Sequence, residues 1–333
     1  YGCSAIKSVS FGNAIKSIGR YAFYGCNGLT TVAIPASTTS IGEHAFQSCS
    51  NLENVYVGSG ATSIGTDAFA NCPKLASIDV DSTNSKYKSS DGILFNKTGT
   101  TLIKYPPALT NTSYTVPEGV TTISSNAFAS AKNLNTINLP ASLETIGNSA
   151  FSNCISLKNV NMPRVLTIGD SAFSGCTSID EILIPQSTTS VGSSAFSSCT
   201  ALKKVVFNDS AAKIGNSAFY GCTKLAELNL GTGITTIGSQ AFMNCSSLTS
   251  VTFPASLTSL ANRSNSWYNY GVFYGCSKLE TVIFNNSAAT IGEYTFYGCS
   301  AIKSVSFGNA IKSIGNYAFY GCNGLTTVSI PAS

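Results

Sequence analysis

Cysteine recurs along this chain at a nearly constant interval of 23 residues, and this spacing limits the folds that the sequence can adopt. The twelve cysteines lie at positions 3, 26, 49, 72, 154, 176, 199, 222, 245, 276, 299 and 322, and Ala131 stands where a further one is expected. A 23-residue unit is too short to hold a globular core or two packed helices. The spacing therefore predicts a solenoid, in which each unit buries its apolar residues against its neighbours.

Each unit carries its apolar residues in the same order, as the segment CNGLTTVAIPASTTSIGEHAFQS at 26–48 shows. Val32 and Ile34 alternate with small or polar residues, which predicts a short strand with two inward side chains. The proline that often follows ends the strand, because it has no N–H to donate. A second inward isoleucine precedes Gly42, where we predict either a positive φ or a close approach of two backbones. The Ala-Phe pair after it predicts a one-turn helix and a stacked column of phenylalanines.

The repeat count and period together indicate the fold class. The L-x-x-V-x-I string occurs thirteen times, and a weaker copy lies at 114–117, so we expect about 14 coils. The period falls within the range of leucine-rich repeats. The predicted fold is an α/β solenoid, a leucine-rich-repeat array with a parallel β-sheet on one face and short one-turn helices on the other. We expect a single domain over residues 1–333.

The strings I-G-x-x-A-F-x-x-C and L-x-x-V-x-I-P resemble the Treponema pallidum-type leucine-rich repeats of BspA-like surface proteins. The resemblance covers nearly the whole chain. That family is associated with bacterial and protist cell surfaces, adhesion and host-protein binding. The resemblance therefore implies a cell-surface or secreted adhesion module that binds a host or matrix protein through its solenoid surface and has no enzymatic activity.

Two insertions interrupt the period. At 81–118, the apolar runs Ile93–Phe95 and Leu102–Tyr105 flank a segment with Lys-Thr-Gly, which predicts a β-hairpin leaning out of the solenoid. BspA-like proteins often carry a similar insertion. The second insertion, 262–270, reads NRSNSWYNY and holds three large aromatic residues: Trp267, Tyr268 and Tyr270. These either fold back onto the solenoid edge or anchor a protein or sugar.

The two ends of the chain are nearly identical in sequence. Residues 1–37 match residues 297–333 at 35 of 37 positions, and the differences are Arg20/Asn316 and Ala33/Ser329. This match predicts a larger repeating block of 296 residues. It supports an alternative function, in which tandem blocks associate end to end as a structural fibre or surface coat.

The composition argues against several classes of protein. Charged residues make up only 10% of the chain, against about 25% in a typical soluble domain, and the net charge is +4. This weak charge predicts no nucleic-acid partner. No apolar stretch approaches the roughly 20 residues of a membrane-spanning helix, so we predict no direct membrane insertion. Phosphate-loop, dinucleotide-binding and metalloprotease motifs do not occur, and we predict no cofactor, metal or catalytic residue.

One pair of neighbouring predicted strands combines charged and apolar residues on its exposed side. Acidic residues at 180 and 181 lie one strand before lysines at 203 and 204, so opposite charges should face each other, 180 with 203 and 181 with 204. Leu183 and Val206 should share the exposed face. The charges either solubilise the sheet or form the polar rim of a binding patch. The candidate partner-binding residues are Leu183, Val206, Asp180, Glu181, Lys203, Lys204, Trp267, Tyr268 and Tyr270.

Two further residue types invite a chemical interpretation. The cysteines could form disulfides, bind zinc or pack as small buried side chains; parallel Cβ vectors and a linear arrangement favour packing over bonding or tetrahedral ligation. His44, the only histidine, lies between Tyr21 and Asp67 on neighbouring coils. A His–Asp contact is conceivable, but a surface histidine without a pocket is the better interpretation.

Overall fold

The fold consists of short strands joined by turns. The computed structural model describes residues 2–262 and 270–330, and these contain 27 strands and no helix. In chain order the strands are β1 (Ser17–Ile18), β2 (Thr31–Ile34), β3 (Ser40–Ile41), β4 (Asn54–Val57), β5 (Ser63–Ile64), β6 (Ser77–Val80), β7 (Tyr87–Ser90), β8 (Ile93–Asn96), β9 (Thr101–Lys104), β10 (Ser113–Thr115), β11 (Thr122–Ile123), β12 (Thr136–Asn138), β13 (Thr145–Ile146), β14 (Asn159–Asn161), β15 (Thr167–Ile168), β16 (Glu181–Ile184), β17 (Ser190–Val191), β18 (Lys204–Phe207), β19 (Lys213–Ile214), β20 (Glu227–Asn229), β21 (Thr236–Ile237), β22 (Ser250–Phe253), β23 (Ser259–Leu260), β24 (Thr281–Phe284), β25 (Thr290–Ile291), β26 (Ser304–Ser306) and β27 (Ser313–Ile314).

Each sequence unit generally supplies one longer strand and one two-residue strand, and both stack in parallel with their equivalents. The longer strands form four ladders of three: β2-β4-β6, β10-β12-β14, β16-β18-β20 and β22-β24-β26. The two-residue strands form β1-β3-β5 and, beyond the first insertion, a continuous run from β9 through β11 to β27. Val32 lies opposite Val55, one coil further along the chain. The protein is thus a leucine-rich-repeat solenoid of about 13 coils. The first copy of the strand motif, at 6–11, forms no strand.

The predicted one-turn helices are wrong, because the segment around each Ala-Phe pair forms a corner made of turns. In the corner segment Gly42–Cys49, His44 and Ser48 have φ values of 56° and 61°. Residues in this left-handed region interrupt a right-handed helix. The backbone bonds to the next coil instead: Phe46 N–H donates to the Ala68 carbonyl at 2.8 Å. The corners are therefore hydrogen-bonded from coil to coil, as strands are.

The glycine that opens most corners is required by close packing of two backbones. A Cβ atom on Gly42 would lie 2.6 Å from the backbone nitrogen of Arg20, and one on Gly65 would lie 2.4 Å from that of Glu43. Real Cβ atoms do not approach backbone so closely. Neither glycine has a positive φ. Of the two predicted reasons for glycine here, close approach is confirmed.

The core is a stack of identical layers. Phenylalanines from successive corners form the predicted column, and Phe196 stacks between Phe173 and Phe219 with ring centroids 5.2 and 5.3 Å apart. All three rings are fully buried. This confirms the predicted register of the repeat. Since each layer touches only the next, stability depends on contacts between nearest neighbours.

Residues 93–105 of the first insertion join the sheet and do not lean out. β7, β8 and β9 form an antiparallel meander, and β9 then pairs in parallel with β11. Leu94 and Leu102 are fully buried. The predicted outward orientation of this hairpin is wrong, because its apolar runs fill the interior between the coils on either side.

The insertion divides the core into two parts. One cluster of buried apolar residues extends from Ile18 to Leu94 and the other from Ile93 to Cys322. Phe69 stacks on Phe46, whereas Tyr105 begins a second column by stacking on Phe128 at 4.9 Å. No ring stacking joins Phe69 to Tyr105. The aromatic column is thus interrupted at the insertion.

Candidate functional site

The apolar pair predicted at the centre of a binding patch lies on the outer face of the ladder β16-β18-β20. Leu183 is directly opposite Val206, and Glu181 is directly opposite Lys204. The Leu183 side chain is 47% exposed, although its neighbours on either side in the chain, Ile182 and Ile184, are fully buried. Strand alternation therefore places these four side chains on one face, as predicted.

Of the two pairs of opposite charges near Leu183 and Val206, only one forms an ion pair. Glu181 Oε1 lies 2.7 Å from Lys204 Nζ, which confirms the predicted contact. The hydrogen bond and the charge of Glu181 raise the pKa of Lys204, and Glu227 on the following strand adds to the effect. Asp180 and Lys203 are also adjacent across the two coils, since the Lys203 N–H donates to the Asp180 carbonyl at 2.8 Å, but their side chains form no ion pair.

Two open hollows flank the apolar pair. One, of about 470 Å³, includes Lys158, Asn161 and Leu183 in its lining. The other, of about 560 Å³, includes Val206 and Asn229. An apolar ridge between two polar hollows is a shape that a complementary surface can cover, because the ridge offers apolar area and the hollows accept polar side chains.

Of the second insertion, the aromatic loop 262–270, the structure describes only Asn262 and Tyr270. Trp267 and Tyr268 lie outside the described residues. Tyr270 is half-buried, and its ring lies 4.5 Å from that of Tyr274. The predicted role of this loop in binding therefore remains a prediction.

A strip of half-buried and exposed tyrosines, which the sequence reasoning missed, continues from this point. Tyr274 stacks on Tyr297 at 6.0 Å, and Tyr297 stacks on Tyr320 at 5.0 Å. Tyr320 is 59% exposed and Tyr317 is 57% exposed. The signal in the sequence was the recurrence of tyrosine beside the corner phenylalanine, as in YTFYGC and YAFYGC.

His44 makes a stacking contact and no contact with a carboxylate. Its ring lies 4.7 Å from the Tyr21 ring, nearly parallel to it. The Asp67 carboxylate accepts a hydrogen bond from Asn126 Nδ2 at 2.8 Å instead. The Asp67 carboxylate therefore does not orient the His44 ring, as the carboxylate of a catalytic triad would.

The cysteines form a repeated structural contact. All except Cys3 are buried, which confirms their interpretation as packed side chains. Cys199 Sγ donates to the Phe173 carbonyl at 3.2 Å, and Cys222 Sγ donates to the Phe196 carbonyl at 3.2 Å. Burial raises the pKa of Cys199 to about 12, so this thiol stays protonated and is a poor nucleophile.

Residues 2–262 and 270–330 contain no three His, Cys, Asp or Glu side chains that converge as a set of metal ligands. The same residues include no helix with the length and hydropathy needed to cross a bilayer.

A cleft beside the first insertion contains residues that the sequence reasoning did not single out. It has a volume of about 580 Å³, and Asp67, Lys104 and Asn126 are among its lining residues. Asp67 and Asn126 are 59 residues apart in the chain, and both occupy equivalent left-handed corner positions. The only signal in the sequence was that the segment 102–105 is too short for a complete corner.

One sequence family and several solved structures match this chain. The family described as BspA type leucine rich repeat region (6 copies) matches residues 1–91, 107–210, 164–269 and 266–333. No curated protein sequence matches the chain. The family match confirms the resemblance predicted from the repeated strings.

Several solved structures share the fold. A leucine-rich cell surface protein from Faecalibacterium prausnitzii A2-165 is 32% identical with a TM-score of 0.60; the match covers 64% of this chain and 57% of that protein. A leucine-rich repeat protein from Eubacterium ventriosum ATCC 27560 is 24% identical with a TM-score of 0.60, covering 96% and 83%. The pneumococcal vaccine antigen PcpA is 23% identical with a TM-score of 0.57, covering 80% and 65%.

These comparisons differ in what they establish. The two structures under 25% identity show the fold alone. The family match, by contrast, extends over most of the sequence. The chain belongs to the BspA-type leucine-rich-repeat family.

Proposed function

We propose that the chain is a cell-surface or secreted adhesion module that binds a host or matrix protein through the outer face of β16, β18 and β20. The observation that carries the proposal is the apolar pair of the exposed Leu183 and the half-buried Val206 beside the Glu181–Lys204 ion pair. An apolar centre with a charged rim is the usual anatomy of a protein-binding surface. Leucine-rich-repeat proteins in general act as binding scaffolds and not as enzymes.

One similar protein supports the surface location. The Faecalibacterium protein is described as a cell surface protein. The exposed surface is rich in neutral polar residues, and only 10% of all residues are charged. Such a surface disfavours nucleic-acid binding and suits contacts dominated by apolar burial and hydrogen bonds.

The expected affinity of a single site is modest. Covering two apolar side chains completely contributes about 2–4 kcal/mol. The Glu181–Lys204 pair is exposed to solvent and adds little, because exposed ion pairs are screened. Repetition of the module on a surface would raise the overall avidity without new contacts.

The test measures binding of the fluorescently labelled chain to cultured epithelial cells by flow cytometry. Leu183→Ser combined with Val206→Ser should raise the half-saturating concentration at least tenfold and leave the melting temperature nearly unchanged. Thr252→Ser combined with Ile283→Ser is the matched control, since these residues face each other at the equivalent positions of β22 and β24. Trypsin treatment of the cells should abolish binding if the partner is a protein.

Other outcomes identify other surfaces. If the Leu183/Val206 variant binds as well as the control, the patch is ordinary surface. If instead Trp267→Ala with Tyr268→Ala abolishes binding, the aromatic loop is the binding site.

A structural role is the second candidate function. It rests on the near identity of residues 1–37 and 297–333. In the structure, β1 and β27 are the terminal strands of their sheets. A following block could therefore continue the stack without a new kind of interface, because terminal strands carry unpaired backbone groups.

A further inference from the structure

The cleft beside the first insertion exists because one coil has an incomplete corner. Leu102 pairs with Ile123, and the Tyr105 N–H donates to the Ala127 carbonyl at 2.9 Å. The Tyr105 ring stacks on Phe128. Four residues separate Ile123 from Phe128, but only two separate Leu102 from Tyr105. The missing length leaves a cleft of about 580 Å³ between the corner 65–70 and the corner 123–128.

The incomplete corner leaves backbone donors without acceptors on one wall of the cleft. In a regular corner, His44 N–H donates to the Thr66 carbonyl at 3.1 Å and Phe46 N–H donates to the Ala68 carbonyl at 2.8 Å. Asp67 and Phe69 occupy the same positions one coil later, and their N–H groups reach no carbonyl among the described residues. Phe69 is only 4% exposed. Buried donors of this kind are normally satisfied.

The same cleft holds a buried cation. Lys104 is 6% exposed, and its Nζ donates to the Asn126 carbonyl at 2.8 Å. An ammonium group has three donors, and no carboxylate of the described residues lies within ion-pair distance of it. Burial lowers the pKa of Lys104 to about 8, and the charge of Asp67 opposes this shift. A buried ammonium is unfavourable unless an anion pairs with it.

We propose that this cleft binds a carboxylate, supplied by the C-terminus of a short extended peptide that ends in small residues. The carboxylate pairs with Lys104 Nζ, and the adjoining carbonyl of the peptide accepts from the N–H groups of Asp67 and Phe69. Capture of a peptide C-terminus by backbone N–H groups is an established mode of recognition. The cleft lies among the two-residue strands and corners, so this inference is independent of the patch on β16-β18-β20.

The shape and charge of the cleft limit the ligand. Only two corner residues are missing from this coil, so the cleft has room for a segment of about two residues with small side chains. The Asp67 carboxylate, held by Asn126, repels a second negative charge. A monocarboxylate consequently fits better than a phosphate dianion.

The test titrates the whole chain with N-acetyl-Ala-Ala, with its C-terminal amide, with acetate and with inorganic phosphate, using calorimetry. The free acid should bind at least tenfold more tightly than the amide, acetate and phosphate. Affinity should fall as the pH rises through about 8, because Lys104 loses its charge there. Lys104→Met should remove the preference for the acid. Lys88→Met, which changes an exposed lysine on neighbouring β7, should retain it.

Three results overturn the proposal: no binding of the free acid, equal affinity for acid and amide, or an unchanged preference in Lys104→Met. Acetate binding as tightly as the dipeptide overturns the peptide ligand and assigns the carboxylate to a free organic acid. If Lys104→Met fails to fold, an NMR titration of the Lys104 Nζ in the wild-type chain tests the proposal instead. The dipeptide acid should raise the pKa of that group, and an unchanged value contradicts the site.

Discussion

Replacement of Phe196 by alanine tests the stacked core directly. The ring is fully buried and contacts Phe173 on one side and Phe219 on the other. Truncation of a buried phenylalanine to alanine costs about 3–5 kcal/mol, from lost transfer energy and the cavity that remains. Each stacked aromatic pair contributes about 0.5–1.5 kcal/mol of this total. We expect Phe196→Ala to lower the free energy of unfolding by about 4 kcal/mol.

A residue near the end of the same column supplies the control. Phe319 is half-buried, stacks on Phe296 alone at 5.1 Å and meets Phe307 edge-on. Having one stacked neighbour and partial exposure, Phe319→Ala should cost about half as much, roughly 2 kcal/mol. Urea denaturation followed by circular dichroism measures both changes.

Hydrogen exchange shows where the loss occurs. The N–H groups of Phe196 and Ser198 donate to the Ala218 and Tyr220 carbonyls, each at 2.7 Å. Protection of these amides from hydrogen exchange should fall in Phe196→Ala. Protection around Phe46 should persist, because each coil is stabilised only by contacts with its immediate neighbours. Equal costs for the two substitutions, or a uniform loss of protection along the chain, would refute this account of the core.

Two further predictions concern the thiols and the array. Cys3 should react with a thiol reagent in the native protein, whereas the buried thiols should react only after denaturation, when close to all twelve should titrate as free. The pKa values of Cys199 and Cys276 are raised from 9.0 to about 12, so their contribution to stability is complete below pH 9 and is lost between pH 9 and 12. Replacing either with alanine should flatten the alkaline loss by about 1.4 kcal/mol per pH unit. Because burial lowers the pKa of Lys104 to about 8, this one residue adds stability as the pH rises above 8 and partly offsets the loss. A chain with two successive copies of residues 1–296 should scatter X-rays as one rod of about twice the length; a flexible dumbbell profile contradicts the fibre hypothesis.

The periodic features were predictable because the period assigns each residue to a column. The stacking of Phe196 on Phe219, and the pairing of Leu183 with Val206, both follow from the 23-residue interval. The geometry of the corners was not predictable in the same way. His44 and Ser48 adopt a positive φ without being glycine, so their residue types carried no warning against a helix.

The side-chain contacts that the period does not specify could not be predicted from the sequence either. Glu181 and Lys204 form an ion pair, whereas Asp180 and Lys203, one position before the same two strands, do not. Charge signs and sequence spacing are the same for both pairs, so neither distinguishes them. The insertion was recognisable as apolar strands, but burial of those strands between coils depended on the space that the array left for them.

The repeat by itself determined the period, the inward residues and the family of this protein. Whether an apolar residue is buried depended on the adjacent coils, as the two nearly identical end segments show. Ile18 is 3% exposed and its counterpart Ile314 is 37% exposed; Phe11 is half-buried and its counterpart Phe307 is 2% exposed. A solenoid residue is buried only where an adjacent coil covers it, so identical sequences acquire different environments at opposite ends. The same reason explains the cleft, because only the stacking of coils brings Asp67, Lys104 and Asn126 together.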